Sequence, residues 1–323
     1  MLIVPVEMET VTPVWTGNIR GESVQLMPQS LIGSLRFWFK VYCKATGVIC
    51  DFREHEEFPL KAYLDHLNKI IKSKGTVSLK FEELVLESIR KIDDRGVGKN
   101  KLSVVAKLFG CTGWRSMIHI QKITPIDQKS AYEIVDSLFK IRNRNLNKKT
   151  KIHGRYNITF CLAHPCLKET ILWPLLNFVQ KYGFIGALNG DGLGRVEFYE
   201  IGEGNGRIKT ENFDFSPISL HLSQVKMNIG NAVHHELSSK NELVGSHSKL
   251  MIWSSHEKFD SLSNLIDQMW TECKEILDSI GMENRGLISG SRYEGAKILP
   301  LISRTDDGKY YTGAWLSLMM LRS

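Results

Sequence analysis

Residues 168–201 read KETILWPLLNFVQKYGFIGALNGDGLGRVEFYEI, and the order of elements in this stretch decides the fold. Ile171, Leu172, Leu175, Leu176 and Val179 recur at helical spacing, which predicts a helix from Lys168 to Tyr182 with one buried face. A glycine-dense turn follows, and Arg195 to Ile201 then reads as a strand. Glycines that hold a dinucleotide lie between a strand and the helix it opens, so that the helix N-terminus meets the pyrophosphate. Here they come after a helix and before a strand, and the GK[ST] ending of a P-loop is absent. The order speaks against a nucleotide-dependent enzyme.

Working outward, a strand precedes this helix, from Tyr156 to about Ala163. At the N-terminus, Leu2 to about Trp15 is rich in β-branched residues and reads as a strand ended by Gly17. Ser30 can cap a helix carrying Leu31, Leu35, Trp38, Phe39 and Tyr42 on one stripe, with Gly47 as its stop. Trp38 and Phe39 read as core residues. Residues from about 51 to 110 look like a helical insertion, with KAYLDHLNKIIKSKG and FEELVLESIRKI as two amphipathic helices and a short third helix closed by Gly110. A strand from about Trp114 to Ile123 and a helix from Asp127 to about Ile141 follow, then a basic loop.

The first 200 residues thus give β-α-(insertion)-β-β-α-β, the ferredoxin-like order shared with RNA recognition modules. A polar linker, GEGNGRIKTENFD, leads to a less distinct repeat of the same flavour. It reads as a strand from about Ile218 to Ile229, a polar connection, a helix from Ser261 to Ile280, and strands at Lys297–Ser303 and near Tyr310. The expected fold is α+β, with two ferredoxin-like (RRM-like) domains at residues 1–205 and 206–323. The first carries the insertion and a glycine-rich loop before its last strand; the second is degenerate.

Composition narrows the function classes. The chain has 323 residues, 42% hydrophobic and 24% charged, an ordinary globular balance. Lysine plus arginine number 42 against 35 acidic residues, a net charge of +7 that permits a polyanionic partner or serves solubility alone. No apolar run approaches the ~20 residues of a membrane span, and the N-terminus shows no secretory pattern. The six cysteines form no CxxC pair, so free thiols in a reducing cytoplasm are expected, with no metal and no cofactor.

Several residues could hold RNA. Four glycines in the nine positions Gly186–Gly194 would let the backbone around Asn189, Gly190, Gly192 and Gly194 approach a phosphate, with Arg195 adding a planar fork; a ligand-free turn is the plain alternative. Arg36 and Lys40 sit four apart on the first helix and could line a groove with Arg20 and Arg195, or form a solvated basic face. Trp114 could stack on a base beside Arg115. The basic stretch Arg142–Arg155, with Lys151 and Arg155, suits RNA or an acidic neighbour, and Arg285 and Arg292 flank glycines in the second half. Of the histidines, His153 is the best general acid–base candidate; His119 reads as packed, and Asp93, Asp94 and Asp191 make no carboxylate cluster.

Four blocks carry a resemblance. Thr12-Pro-Val-Trp-Thr-Gly17, Ser30-Leu-Ile-Gly-Ser-Leu-Arg-Phe-Trp-Phe-Lys40, Leu108-Phe-Gly-Cys-Thr-Gly-Trp-Arg-Ser116 and the late helix with Gly186–Arg195 resemble the RAMP superfamily. Within it, the pattern is similar to the first-subunit family of the type III-B (Cmr) CRISPR effector complex. The resemblance covers the first domain and little beyond residue 205. It implies ferredoxin-like domains, contact with crRNA or target RNA near the end distal to the 5′ tag, assembly with other Cmr subunits, and no catalytic role. An RNA-processing nuclease using His153 and a scaffold touching only proteins are the rivals.

Overall fold

The first helix, α1 (Pro28–Ala45), begins with proline in its first turn and buries the stripe Leu31, Leu35, Trp38, Phe39 and Tyr42. The entering residue is Met27, which offers no side-chain cap, so Ser30 lies inside the helix rather than at its head. Its stop is Gly47, whose φ of 74° only glycine adopts cheaply. Opposite it lies α5 (Trp173–Tyr182), entered through a π-helical turn at Lys168–Leu172. The two helices meet through rings: Tyr42 stands edge-on to Phe178 at 5.4 Å, and Trp38 lies 5.9 Å from Phe184. This is a computed structural model, and it describes the chain except residues 17–24, 49–56, 75–79, 94–100, 131–151, 188, 203–205, 226, 235–236, 238, 246, 281–286, 288–296 and 322–323.

Both helices cover one face of an antiparallel sheet of β1 (Leu2–Thr10), β2 (Ile118–Ser130), β3 (Ile152–Leu162) and β4 (Val196–Glu200), in the order β2-β3-β1-β4. Alternation along β1 puts Val4, Val6, Met8 and Thr10 inside and Ile3, Pro5, Glu7 and Glu9 outside. Between α1 and β2 stand α2 (Leu60–Lys74), α3 (Phe81–Arg90) and α4 (Val104–Phe109). Lys107 on α4 is wholly buried, and its ammonium donates to the carbonyls of Ile92 and Ile218, both at 2.9 Å. That one side chain ties the insertion to the segment after β4.

Several boundaries differ from expectation. Strand β2 runs through Ser130, so residues 127–130 are strand where a helix was expected, and residues 131–141 of that helix lie outside the described residues. Pairing with β3, register shifts included, outweighs weak helical periodicity here. Strand β1 ends at Thr10, with Val14 making only an isolated bridge to Ile152. The expected strand Ile218–Ile229 is mostly turns; only β6 (Met227–Asn228) pairs, with β5 (Asn212–Phe213).

The second sheet has the order β7-β8-β10-β9, from β7 (Val233–His234), β8 (Leu250–Phe259), β9 (Ile298–Arg304) and β10 (Tyr311–Ser317), with α6 (Leu262–Ile280) between β8 and β9. Strand β8 escaped notice because its polar half, residues 254–258, hides the alternation. The run β8-α6-β9-β10, arranged β8-β10-β9, repeats the first half of the pattern seen in the first sheet. The place that β4 takes beside β1 is held here by β7, which runs parallel to β8. One apolar cluster extends through both halves, reaching from Val4, Leu35 and Phe198 to Leu250, Leu299 and Leu316. A second, around Ile266, Met269, Ile302 and Trp315, lies under α6. None of the described cysteines is in a disulfide, and among the described residues no helix is long and apolar enough to cross a membrane.

Arg195, immediately before β4, is 1% exposed. Its guanidinium donates to the carbonyls of Val179 (3.3 Å), Gln180 (2.6 Å), Lys181 (3.2 Å) and Gly183, which end α5, and to the Ile302 carbonyl (2.7 Å) and Ser303 Oγ (3.3 Å) on β9. A helix leaves its last carbonyls without intrahelical donors and with partial negative charge, so a buried cation here satisfies both needs. Burial pushes the guanidinium pKa down to about 9, opposed by Glu197, so the charge persists at neutral pH.

Arg195→Met should therefore cost about 3–5 kcal/mol, because it strands buried carbonyls on two elements at once. Arg195→Lys should recover little of it, since an ammonium cannot fork among them. Urea denaturation measures both, and a variant as stable as wild type would refute the assignment. Lys107→Met should cost about 1–3 kcal/mol by the same logic, with faster amide exchange in α4 than in β1.

Candidate nucleic-acid interface

Two surfaces of the first sheet could meet RNA. The open face, where a recognition module stacks bases on aromatic residues of its central strands, carries none at the exposed positions of β1 and β3. It carries Ile3, Pro5, Glu7 and Glu9 on β1, and Arg155, Asn157 and Thr159 on β3. Glu9 lies across from Glu197 on β4. These carboxylates are held by arginines: Arg155 to Glu7 at 3.6 Å, Arg304 to Glu9 at 2.9 Å, and Arg207 to Glu197 and to Asp306 at 2.8 Å. Tyr199 donates to Glu197 at 2.6 Å. This face is an ionic lattice joining the first sheet to β9.

The other surface is a groove between the N-terminal half of α1 and the glycine-rich loop, with a volume of about 490 Å³. Its builders are the sequence blocks singled out above. Ser34 Oγ accepts from the Gly186 amide at 3.0 Å and donates to the Ser30 carbonyl at 2.9 Å. Trp38 Nε1 donates to the Phe184 carbonyl at 2.8 Å, so helix and loop keep a fixed separation. The segment after β1 fastens the far side: Ala187 donates to the Trp15 carbonyl (2.8 Å) and Gly194 to the Pro13 carbonyl (2.9 Å). Thr12 Oγ1 accepts from the Arg195 amide at 2.9 Å and donates to the Gly192 carbonyl at 2.8 Å.

That fastening requires glycine. A Cβ on Gly194 (φ 91°) would meet the Ile185 carbonyl oxygen at 2.2 Å, and one on Gly186 (φ 82°) would meet that of Trp15 at 2.4 Å. The glycines therefore serve close approach of backbone to backbone. Gly192 and Gly194 are buried, and their amides donate to Asn189 and Pro13, so neither is an open phosphate cradle. Arg195 is buried as described. Gly192, Gly194 and Arg195, expected to contact phosphate, are placed in a structural joint, and the guanidinium faces carbonyls rather than solvent.

Of the remaining candidates, Asn189 lines the groove, and Gly190 lies instead beside Trp270 and Trp315 at a small apolar cavity of about 50 Å³. Arg36 and Lys40, both half-buried, continue along α1 beyond the groove. Trp114 does not join them. Its ring stacks on Phe58 at 4.9 Å and 21°, meets Tyr63 at 5.7 Å, and donates Nε1 to the Lys107 carbonyl. Expected as a platform for a base, Trp114 packs on the insertion, while Arg115 beside it is exposed. Arg155 belongs to the open face. Arg20, Lys151, Arg285 and Arg292 lie outside the described residues.

His153 Nδ1 lies 2.8 Å from Thr10 Oγ1, which also accepts from the Gly154 amide. His119 is held below its ordinary pKa by burial and then by Arg115. Among the described residues no three metal-ligating side chains gather.

Sequence reasoning missed the groove's other walls: Trp15, Gln29, Gly33, Phe37 and Phe184. Gln29, Gly33 and Phe37 repeat every four residues along α1, opposite the stripe read as core. A glycine inside an otherwise regular helical pattern was the available signal.

No curated protein matches the sequence. Among solved structures, Cmr1 from Pyrococcus furiosus in its apo form is similar over 98% of this chain and 88% of that one, with 14% identity and a TM-score of 0.47. A chain of a type IV-B CRISPR complex is similar over 61% of this chain and 89% of that one, with 11% identity and a TM-score of 0.33. The family model of the RAMP superfamily matches residues 7–197, from β1 through the groove-forming loop to β4. With well over half of its length inside that match, the chain belongs to the RAMP superfamily.

Proposed function

We propose that this chain is a non-catalytic, RNA-binding subunit of a CRISPR effector ribonucleoprotein of the Cmr kind, holding single-stranded crRNA or target RNA and docking on other subunits. The observation that carries it is the groove between α1 and the glycine-rich loop. Three of the four blocks that resemble the family converge there, and the family match covers them all. The first unit, residues 1–205, is ferredoxin-like in this reading; the second, residues 206–323, keeps the first half of that pattern. The contact would lie near the guide end distal to the 5′ tag, in antiviral defence in the cytoplasm.

RNA runs along α1 rather than across the open sheet face. Phosphates would meet unscreened repulsion at Glu7, Glu9 and Glu197 if their arginine partners were drawn away, whereas α1 offers Arg36 and Lys40 and no acidic residue in its first turn. A uncapped helix N-terminus at Met27 adds a weak positive field at the groove's mouth. His153 is a poor general base here, because Thr10 Oγ1 occupies Nδ1 and the ring sits on β3, away from the groove.

Fluorescence anisotropy of a labelled single-stranded RNA, titrated across salt, tests the reading. Wild type should bind, and binding should weaken with salt. Arg36→Ala with Lys40→Ala should weaken binding about tenfold and flatten the log–log salt slope by about 1.4, the loss of two single-strand phosphate contacts. The RNA should stay intact with wild type and with His153→Ala alike. Absence of binding at low salt would favour a protein-only scaffold, and RNA cleavage lost in His153→Ala would favour a nuclease.

A further inference from the structure

Of three cavities among the described residues, two explain themselves. The 360 Å³ cleft between the end of α5 and β9 is rich in cations, but Lys181, Arg207 and Arg304 each already hold a carboxylate. The cavity against Trp315 is small, at about 50 Å³, and lined mostly by apolar side chains. The α1 groove differs from both in chemistry. Among the described residues, none that lines it is charged.

We propose that the groove receives one unstacked nucleobase of the bound RNA, and that Asn189 reads the base edge. The inference rests on the RNA-binding reading and adds to it a base where phosphate would be expected. Neutral walls cannot repay the desolvation of a phosphate, whereas a base enters without charge. The loop amides that would hold an anion are occupied: Gly186 by Ser34, Ala187 by Trp15, Gly192 by Asn189 itself, Gly194 by Pro13 and Arg195 by Thr12.

Asn189 lines the groove, and its side-chain oxygen is buried and without a hydrogen-bond partner. A buried acceptor left empty is costly, and every nucleobase carries an N–H that could fill it. An amide offers an acceptor and a donor side by side, the pattern that pairs with a base edge. Phe37 adds a ring at the groove wall, 36% exposed and edge-on to Trp38 at 5.3 Å and 89°. Exposed aromatics are the usual platform for splayed-out bases.

Gly33 supplies the independent observation. It sits inside α1, where glycine is unfavourable by about 1 kcal/mol against alanine. Among the described residues nothing requires it, because a Cβ there would meet no atom within 4 Å. Glycine between Gln29 and Phe37 instead widens the groove by the volume of a side chain. Room at that point matters only to something that enters from outside.

The test uses labelled oligoadenylate, oligocytidylate and oligouridylate of one length, with anisotropy at a single moderate salt. Wild type should discriminate among them by about fivefold or more between strongest and weakest. Asn189→Ala and Gly33→Leu should each compress that spread to within about twofold; the stacking habits of the free oligonucleotides are common to all variants and cancel. Gly33→Leu should melt no lower than wild type, since it replaces a poor helix former in open space. Arg36→Ala should weaken all three oligonucleotides alike and preserve the spread. Equal affinities with wild type, or a spread that survives in both groove variants, would overturn the base pocket while leaving RNA binding intact. Failure of every oligonucleotide to bind wild type would overturn the RNA reading itself, and the pocket with it.

Discussion

The buried guanidinium of Arg195 is the constraint from which the rest of the arrangement follows. A helix that ends inside a protein presents carbonyls that solvent cannot reach, and α5 ends beneath the glycine-rich loop. One arginine answers three or more of them and, with its Nε, the Ile302 carbonyl of β9. The first and second sheets are thereby joined at a single buried charge. Because Arg195 immediately precedes β4 and follows Gly194, its position also fixes where the loop must pass, and the loop in turn forms one wall of the groove. The site is downstream of a structural cation.

Charge is distributed accordingly. Around this joint the chain pairs arginine with glutamate, Arg304 with Glu9 and Arg207 with Glu197, so that the contact between the two sheets is made of mutually neutralised groups. A surface in that condition has no surplus field to draw in a polyanion. The net excess of +7 lies elsewhere, and α1 places Arg36 and Lys40 on a regular element beside a cavity. The second half of the chain meets this face at one edge, where Arg304 holds Glu9 and Asp306 holds Arg207.

Much of the architecture was legible because it rests on periodicity. The stripes of α1 and α5 and the long amphipathic run of α6 could be read from spacing alone, and the β-α-β-β-α-β order with them. The losses have physical causes. Strand β8 carries serine, histidine, glutamate and lysine in its second half and pairs through backbone that no alternation announces. Residues 218–225 hold enough apolar side chains to resemble a strand, yet Ile218 is drawn into the core while its carbonyl takes the buried Lys107 ammonium. At the site, sequence located the loop and the helix but not which of their atoms face the groove. An arginine after glycines reads as a phosphate fork until the carbonyls around it are seen, and Trp114 reads as a platform until Phe58 is found against its face.

Glycine density itself has two physical meanings, and the structure separates them. A loop may be glycine-rich so that its amides can surround an anion, or so that its backbone can pass within hydrogen-bonding distance of another backbone. Gly186 and Gly194 belong to the second case: a methyl group on either would lie 2.4 Å or less from a carbonyl oxygen of the same molecule. Gly33 belongs to neither, since its missing side chain faces open space within an element that glycine weakens. The distinction matters because the first two can be explained without any ligand, and the third is not explained by packing among the described residues. A groove whose polar wall leaves Asn189 Oδ1 unfilled, and whose helical wall omits a side chain that the fold would tolerate, is shaped for an uncharged, planar, hydrogen-bonding guest. On an RNA, that guest is a base and not the phosphate beside it.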